Sequence, residues 1–377
     1  MSVEILIGDC REILRSLPAD STHCVVTSPP YFGLRDYGVD RQIGLEPTPS
    51  EFVAAMVEVF REVRRVLRVD GTLWLNLGDS YAGSGRGGNP EAGTKQGTNK
   101  GSQSVGVLYG LNADDAASER ARMKTQNAAL RGAGLKSKDL IGIPWRVAFA
   151  LQEDGWYLRS DIIWHKPNPM PESVTDRPTS AHEHVFLLSK SEKYFYDADA
   201  IREAESVPDW DNGSRVFGGV NKHGANIQHG DRTTGRVATK RKRGLPPRHS
   251  KYDSSDQSGL DDVERGIGRN ARNVWAIATN PFPDAHFATF PPSLPERCIK
   301  AGCPAGGTVL DPFGGAGTTG LVAQRLNRNA VLIELNPEYA GMARRRIDLD
   351  RAGPVDRLVG KGKIKPTDAG PLFGDAA

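Results

Sequence analysis

Residues 308–319 read Thr308-Val309-Leu310-Asp311-Pro312-Phe313-Gly314-Gly315-Ala316-Gly317-Thr318-Thr319. A short β-branched run stops at an aspartate, a glycine-rich turn follows, and GLVAQRLN continues at helical spacing. AVLIEL then reads as a second strand, and PEYAGMARRRIDL as a second helix. Strand, glycine turn, helix and strand make a crossover unit of an α/β sheet. The glycines let backbone approach a ligand closely, and the helix N-terminus behind them offers free N–H groups. Glu334, about 20 residues on at the end of the second strand, is placed to take ribose hydroxyls, as in doubly wound sheets that hold nucleotide-containing cofactors. Tight βα turns also use glycine for structure alone. No GK[ST] follows, which argues against a P-loop, and Asp311-Pro312-Phe313 departs from the dinucleotide fingerprint.

The start of the chain alternates in the same way. EILIGD and HCVVTSP are apolar runs that end at Gly, Asp or Pro, with the short helix CREILRSLP between them. Ser50 opens a longer helix in which Phe52, Val53, Met56, Val57, Phe60, Val63, Val66 and Leu67 recur, and Gly71 is expected to end it. GTLWLNLGD follows as a strand. A helix from Ser137 to Glu153, the strand WYLRSDIIWHKP and a hairpin of HVFLLSK with KYFYD are predicted next. Two stretches interrupt this order. Residues 82–110 hold nine glycines with no sustained apolar period. From Arg215 to Lys251 ten Lys and Arg stand against one Asp. The predicted organisation is 1–81 and 137–202 as catalytic part, 82–136 as a glycine-rich insertion, 203–272 as a basic region, 273–352 as cofactor part and 353–377 as a tail.

Composition excludes several classes. The 377 residues are 38% hydrophobic and 25% charged, so a sizeable core forms under a polar surface. The 42 glycines and 25 prolines belong in particular loops, and the net charge of +3 says little until it is located. No apolar run approaches the roughly 18 residues of a spanning helix. MSVEILIGDC lacks the features of a signal peptide, so a cytoplasmic protein without a membrane partner is expected. Cys10, Cys24, Cys298 and Cys303 form no CxxC pair and read as reduced, buried thiols. His182-Glu183-His184 has a spacing that two metal ligands could use, but no third ligand is evident, so no metal is expected.

Thr27-Ser28-Pro29-Pro30-Tyr31 carries the second signal. Two prolines remove backbone donors and stiffen the turn after a strand, holding a hydroxyl, the Pro29 carbonyl and an aromatic ring at the sheet edge where open α/β folds place their sites. Two acceptors and a stacking face suit a planar ring that bears an amine, although an ordinary strand-to-loop turn fits the same residues.

Taken together, SPPY, the later glycine turn and the run His286-Phe287-Ala288-Thr289-Phe290-Pro291 before it resemble the amino-methylating DNA methyltransferases. These use S-adenosylmethionine to methylate cytosine N4 or adenine N6. The catalytic motif precedes the cofactor motif, an order similar to the circularly permuted β group, and the match covers about 1–80, 137–200 and 273–349. The resemblance implies a doubly wound, mostly parallel sheet with inserted loops and a variable target-recognition region. It also implies roles. Asp311, Phe313, Gly315, Gly317 and Thr318 would meet the methionine end of the cofactor, Glu334 its ribose, Asp9 its adenine amine, and Phe290 and Pro291 its apolar wall. Ser28 and the Pro29 carbonyl, stiffened by Pro30, would accept the target amine, and Tyr31 would stack on a base flipped from double-stranded DNA. Methyl transfer would be a direct in-line attack by the exocyclic nitrogen, with no cysteine nucleophile.

Arg232, Arg236, Lys240, Arg241, Lys242, Arg243 and Arg248 stand where the family carries target recognition, and in that context they read as phosphate contacts rather than a solvated charge run. Serine at position 28, where adenine-specific members commonly carry Asp or Asn, leans toward cytosine N4 over adenine N6. A homodimer, a cognate restriction endonuclease and a bacterial or phage-type, nucleoid-associated setting are further implications of the resemblance. A non-catalytic DNA-binding protein and a nicotinamide oxidoreductase are the other readings, the latter disfavoured by the missing GxGxxG.

Overall fold

The computed structural model describes residues 1–33, 39–82, 129–203, 268–279 and 289–351. Each crossover helix starts where the sequence supplies a cap. Helix α1 (Cys10–Ser16) follows strand β1 (Val3–Ile7) and is capped by the Asp9 carboxylate, which accepts from the Arg11 amide. Helix α2 (Pro49–Val66) follows β2 (Thr22–Thr27) and opens on a capping box of Thr48 with Glu51 and on Pro49. Its buried face is Phe52, Met56, Val59, Phe60, Val63 and Val66, a three-and-four spacing that packs on the sheet.

Strand β3 (Leu67–Leu77) begins directly after α2, so Gly71 lies inside the strand rather than ending the helix. The helix stops where the chain turns extended at Leu67, whose amide makes the last helical hydrogen bond, to the Val63 carbonyl. Helix α3 (Ile143–Glu153) is shorter than the Ser137–Glu153 expected. Gly142 sits at its N-cap in the left-handed region and offers no side chain. The Asp79 carboxylate, arriving from the loop after β3, caps it instead, accepting from the Gly142 amide at 3.0 Å and the Ile143 amide at 3.1 Å.

Strands β4 (Tyr157–His165) and β5 (His182–Ser189) come next, then β6 (Val274–Ala276), α4 (Ser293–Gly302), β7 (Thr308–Asp311), α5 (Thr318–Arg325), β8 (Asn329–Glu334) and α6 (Pro337–Arg351). Among the described residues they form one sheet of order β1-β8-β7-β2-β3-β5-β4-β6. It is parallel from β1 through β3, β5 pairs antiparallel with both β3 and β4, and β6 pairs parallel with β4. Helices α1, α2 and α3 cover one face and α4, α5 and α6 the other. Cys24, Val25, Val26 and Thr27 of β2 are all buried as a result, the continuous run of a strand covered on both faces.

KYFYD is not the second strand of a hairpin. Both edges of β5 are already taken, and the Phe195 and Asp197 amides donate instead to the carbonyls of Asp70 and Ala301. The chain divides into two compact units, Met1–Ile201 with Ala271–Ala377, and Arg202–Asn270. The first carries the whole sheet. In the second, Glu203 and Arg269 exchange both backbone hydrogen bonds at 3.0 Å and join side chains at 3.2 Å, tying together the two ends of that stretch.

No helix among the described residues is long and apolar enough to cross a membrane. Replacing Asp79 with Ala should uncap α3 and lower stability by about 1–2 kcal/mol, read as a fall in denaturant midpoint at unchanged slope. An unchanged midpoint would show that the cap contributes nothing.

Candidate active site

The sheet order puts the switch point between β7 and β2, where the chain winds away in opposite directions and crevices form beyond the strand ends. Along that edge stand, strand by strand, Asp9 after β1, Glu334 ending β8, Asp311 and the glycine turn after β7, Ser28 to Tyr31 after β2, and Asn76 near the end of β3. Phe290 and the buried Pro291 lie just before α4. That helix ends beside the opposite edge, where the Gly302 carbonyl accepts from Thr72 of β3, so its start lies toward this one. Phe290 packs against the core cluster of Trp74, Leu294 and Cys298.

Asp311 is buried and fully engaged. One oxygen accepts from the Thr27 hydroxyl at 2.6 Å and the Phe313 amide at 3.1 Å; the other accepts from the Thr319 hydroxyl at 2.6 Å. Burial pushes its pKa up even against these donors. Its partners thus come from the end of β2, the glycine turn and the first turn of α5. Glu334 supports the turn from the side, accepting from the Gly315 amide at 2.7 Å and the Asn336 amide at 2.8 Å, and burial raises its pKa as well.

The glycines divide their work. Gly315 has φ +50°, and the space a Cβ would enter holds nothing closer than the Phe313 carbonyl at 3.9 Å, an open cradle beside the Glu334 carboxylate. Gly317 has φ +76°, and a Cβ there would lie 2.8 Å from the Ala343 Cβ of α6, so it serves close packing. Thr318 also turns inward, its hydroxyl accepting from Arg346 of α6 at 2.8 Å.

Asp9 sits in a two-arginine clamp. Arg11 donates to both oxygens, and Arg41 reaches the second at 3.2 Å. Burial raises its pKa, but the bonds and charge of the arginines outweigh that and hold the carboxyl below its ordinary range. The carboxylate is occupied by these partners, where the resemblance had it facing an adenine amine.

At the loop after β2 the structure adds residues that the motif did not name. Ser28 Oγ lies 3.4 Å from Tyr31 OH, and Tyr31 OH donates to Glu183 Oε2 at 2.5 Å. Asn76 Nδ2 reaches Tyr31 OH and Glu183 Oε2 at 2.8 Å each and Ser28 Oγ at 3.3 Å. Lys166, just past β4, pairs with Glu183 Oε1 and lies over the Trp164 ring. Asn76 had a signal in the sequence, a lone amide inside the apolar run LWLNL. Glu183 was legible only as the residue between two histidines. Those histidines take the other face of β5, and His184 Nδ1 meets Asp161 at 2.9 Å. No group of three metal-binding side chains gathers among the described residues. Trp164 is core, donating to the Ile277 carbonyl at 2.8 Å. The arginines and lysines from Arg232 to Arg248, and His286 to Ala288, lie outside the described residues.

A sheet of this order with a glycine turn and an acidic strand end at its switch point defines the S-adenosylmethionine-dependent methyltransferase class. Comparison with known proteins narrows it. The profile of the N6/N4 DNA methylases matches residues 22–345. Type II methyltransferase M.SmaI of Serratia marcescens is 43% identical over 346 residues, covering 92% of this chain and 91% of that protein. M.Cfr9I of Citrobacter freundii is 43% identical over 340 residues, covering 90% and 86%. In structure, the cytosine-N4-specific PvuII DNA methyltransferase superposes with a TM-score of 0.52 at 18% identity over 96% of this chain and 94% of that one. The chain belongs to the N6/N4 DNA methylase family, the amino-methyltransferases of Type II restriction-modification.

Gly315→Val should abolish S-adenosylmethionine binding by calorimetry below its melting point, because the side chain would fill the open cradle, and the left-handed φ of +50° should lower its melting temperature as well. Gly317→Ala, pressed against Ala343, should lower the melting temperature by several degrees and leave the cradle open. Normal cofactor binding by Gly315→Val would refute the cradle.

Burial pushes the Cys10 thiol up to about 12 and Cys303 up to about 11, with Cys24 and Cys298 also raised. The native protein should therefore resist iodoacetamide at pH 8 and react at all four cysteines once unfolded, as mass spectrometry would show. Rapid native labelling would contradict this burial.

Proposed function

We propose that the edge between β1 and β7 holds S-adenosylmethionine and that the loop after β2 receives the target amine of a base flipped from double-stranded DNA. The observation that carries this reading is the meeting of the Ser28–Tyr31 loop and the glycine turn at one switch point, joined by the bonds of Asp311. The open side of Gly315 and the Glu334 carboxylate fit the cofactor, and Phe313, Phe290 and Pro291 offer apolar surface to it. The cofactor supplies a methyl group activated on a sulfonium sulfur.

The chain's own residues do the rest. Ser28 Oγ and the Pro29 carbonyl accept from the target amine and aim its nitrogen, and Tyr31 offers its ring to the base. Positioning, with hydrogen bonds that favour charge developing on nitrogen, supplies the rate enhancement. The exocyclic nitrogen attacks directly, and the buried cysteines take no part. The basic residues Arg232, Arg236, Lys240, Arg241, Lys242, Arg243 and Arg248 contact phosphates in this reading, and a restriction endonuclease of the same specificity is the partner expected of a Type II enzyme. A homodimer, which the family resemblance also implies, completes the proposed assembly.

Cytosine N4 is the proposed target. The neutral Ser28 hydroxyl favours it over adenine N6, and the PvuII enzyme of like fold is cytosine-N4-specific. Nucleoside digestion of DNA methylated by the protein should yield N4-methylcytosine by mass spectrometry. N6-methyladenine as sole product would overturn the base assignment and leave fold, cofactor and reaction class intact.

A further inference from the structure

A target amine that has taken a methyl group carries a positive charge and must lose a proton. Ser28 is a poor terminus for it, because a neutral hydroxyl can pass a proton on but cannot keep one near neutral pH. We infer that Glu183 is the terminal proton acceptor of the methyl-transfer reaction, reached from Ser28 through the Tyr31 hydroxyl. The inference rests on the assignment of Ser28 to the target amine.

The geometry supplies a route of two steps. Ser28 Oγ stands 3.4 Å from Tyr31 OH, and Tyr31 OH stands 2.5 Å from Glu183 Oε2. As the N–C bond forms and the methyl–sulfur bond breaks, the amine N–H bond breaks toward Ser28 Oγ. The serine proton moves to the Tyr31 oxygen, and the tyrosine proton moves to Glu183 Oε2. The products are a neutral methylated amine, a neutral thioether and a protonated glutamic acid, so charge and atoms balance without a co-reactant. The carboxyl then returns its proton to water, since Glu183 and Lys166 keep 15% and 20% of their side chains exposed.

The surroundings hold the relay in one arrangement. Lys166 occupies Glu183 Oε1 and leaves Oε2 to face the tyrosine. Asn76 is buried, and its Nδ2 reaches all three relay oxygens. Its Oδ1 is buried with no partner, an arrangement that persists because turning the amide would set that oxygen against the Glu183 carboxylate. Among the described residues, the charged and titratable groups that contact Glu183 are Lys166 from the end of β4 and Tyr31 from the loop after β2, and β3 adds the neutral Asn76. His182, His184 and Asp161 lie on the opposite face of β4 and β5.

Glu183 acts through other side chains and is therefore a positioning and relay residue. Glu183→Gln keeps the shape and removes the base. With the full-length protein, tritiated S-adenosylmethionine and unmethylated genomic DNA, the single-turnover rate should fall about 10²- to 10³-fold. The fall of rate at low pH should disappear from its pH–rate profile, while cofactor affinity by calorimetry stays within about threefold. Tyr31→Phe should lose a similar factor, and the double variant should be no slower than the slower single one, as expected of groups that act as a unit. Glu183→Asp should recover part of the rate.

A Glu183→Gln enzyme within threefold of the parent, or one that keeps the acid limb, overturns the relay. So does a double variant whose losses multiply. Should Glu183→Gln fail to fold, Tyr31→Phe carries the decision alone, and retention of rate and acid limb there overturns the relay equally. Ser28→Ala separates the two levels: its inactivity beside a fully active Glu183→Gln rejects the relay and keeps the site, whereas full activity of Ser28→Ala rejects the site assignment itself.

Discussion

The buried carboxylate of Asp311 is the tie on which the rest of the edge depends. A carboxylate removed from water costs several kcal/mol unless its lone pairs are met. Here two hydroxyls and an amide meet them, one from the end of β2, one from the glycine turn and one from the helix that follows it. Strands β2 and β7 pair over only two residues, Cys24 with Val309 and Val25 with Leu310. Backbone pairing alone therefore holds the two halves weakly at the point where they diverge. The Asp311 bonds extend that pairing to the strand ends. Thr27 directly precedes Ser28, and Asp311 stands two residues before Phe313, so the same three bonds fix both functional loops against each other.

What could be read from the sequence follows from what kind of constraint each feature obeys. The strands CVV and TVLD were legible because burial on both faces leaves an unbroken apolar run, and the edge strand EILIGD because its apolar residues stop at Gly8 and Asp9. The glycine turn and SPPY were legible because few other residues permit that backbone. KYFYD misled because its β propensity is real, but no free strand edge was left for it to join. Gly71 misled because a glycine after a helical run usually ends it, and here the chain had already turned at Leu67. Asn76, Glu183 and Lys166 lie far apart in the chain, and only the insertion of β5 between β3 and β4 brings them together. No local pattern encodes that. Asp311 and Thr318 show a finer limit: the residue types were right for the motif, but the directions of their side chains depend on Thr27 and Arg346, which the motif does not contain.

The circular order of the chain explains why the start and end of the sequence share one edge. Strand β1 pairs with β8 from Val3 with Ala330 to Ile7 with Glu334, and the Gly8 amide donates to the Glu334 carbonyl at 2.9 Å. A site at the strand ends depends on which ends are neighbours in space, not on the order in which the chain visits them. What permutation changes is covalent connection. It puts Asp9, Arg11, the Ser28–Tyr31 loop and Arg41 in one continuous segment. Arg41 follows that loop and returns to Asp9, while Arg11 donates to the Arg41 carbonyl at 3.0 Å. The segment after the base loop is thus anchored on the carboxylate beside Glu334. The clamp on Asp9 ties the segment after the base loop to the start of α1, through bonds independent of those of Asp311.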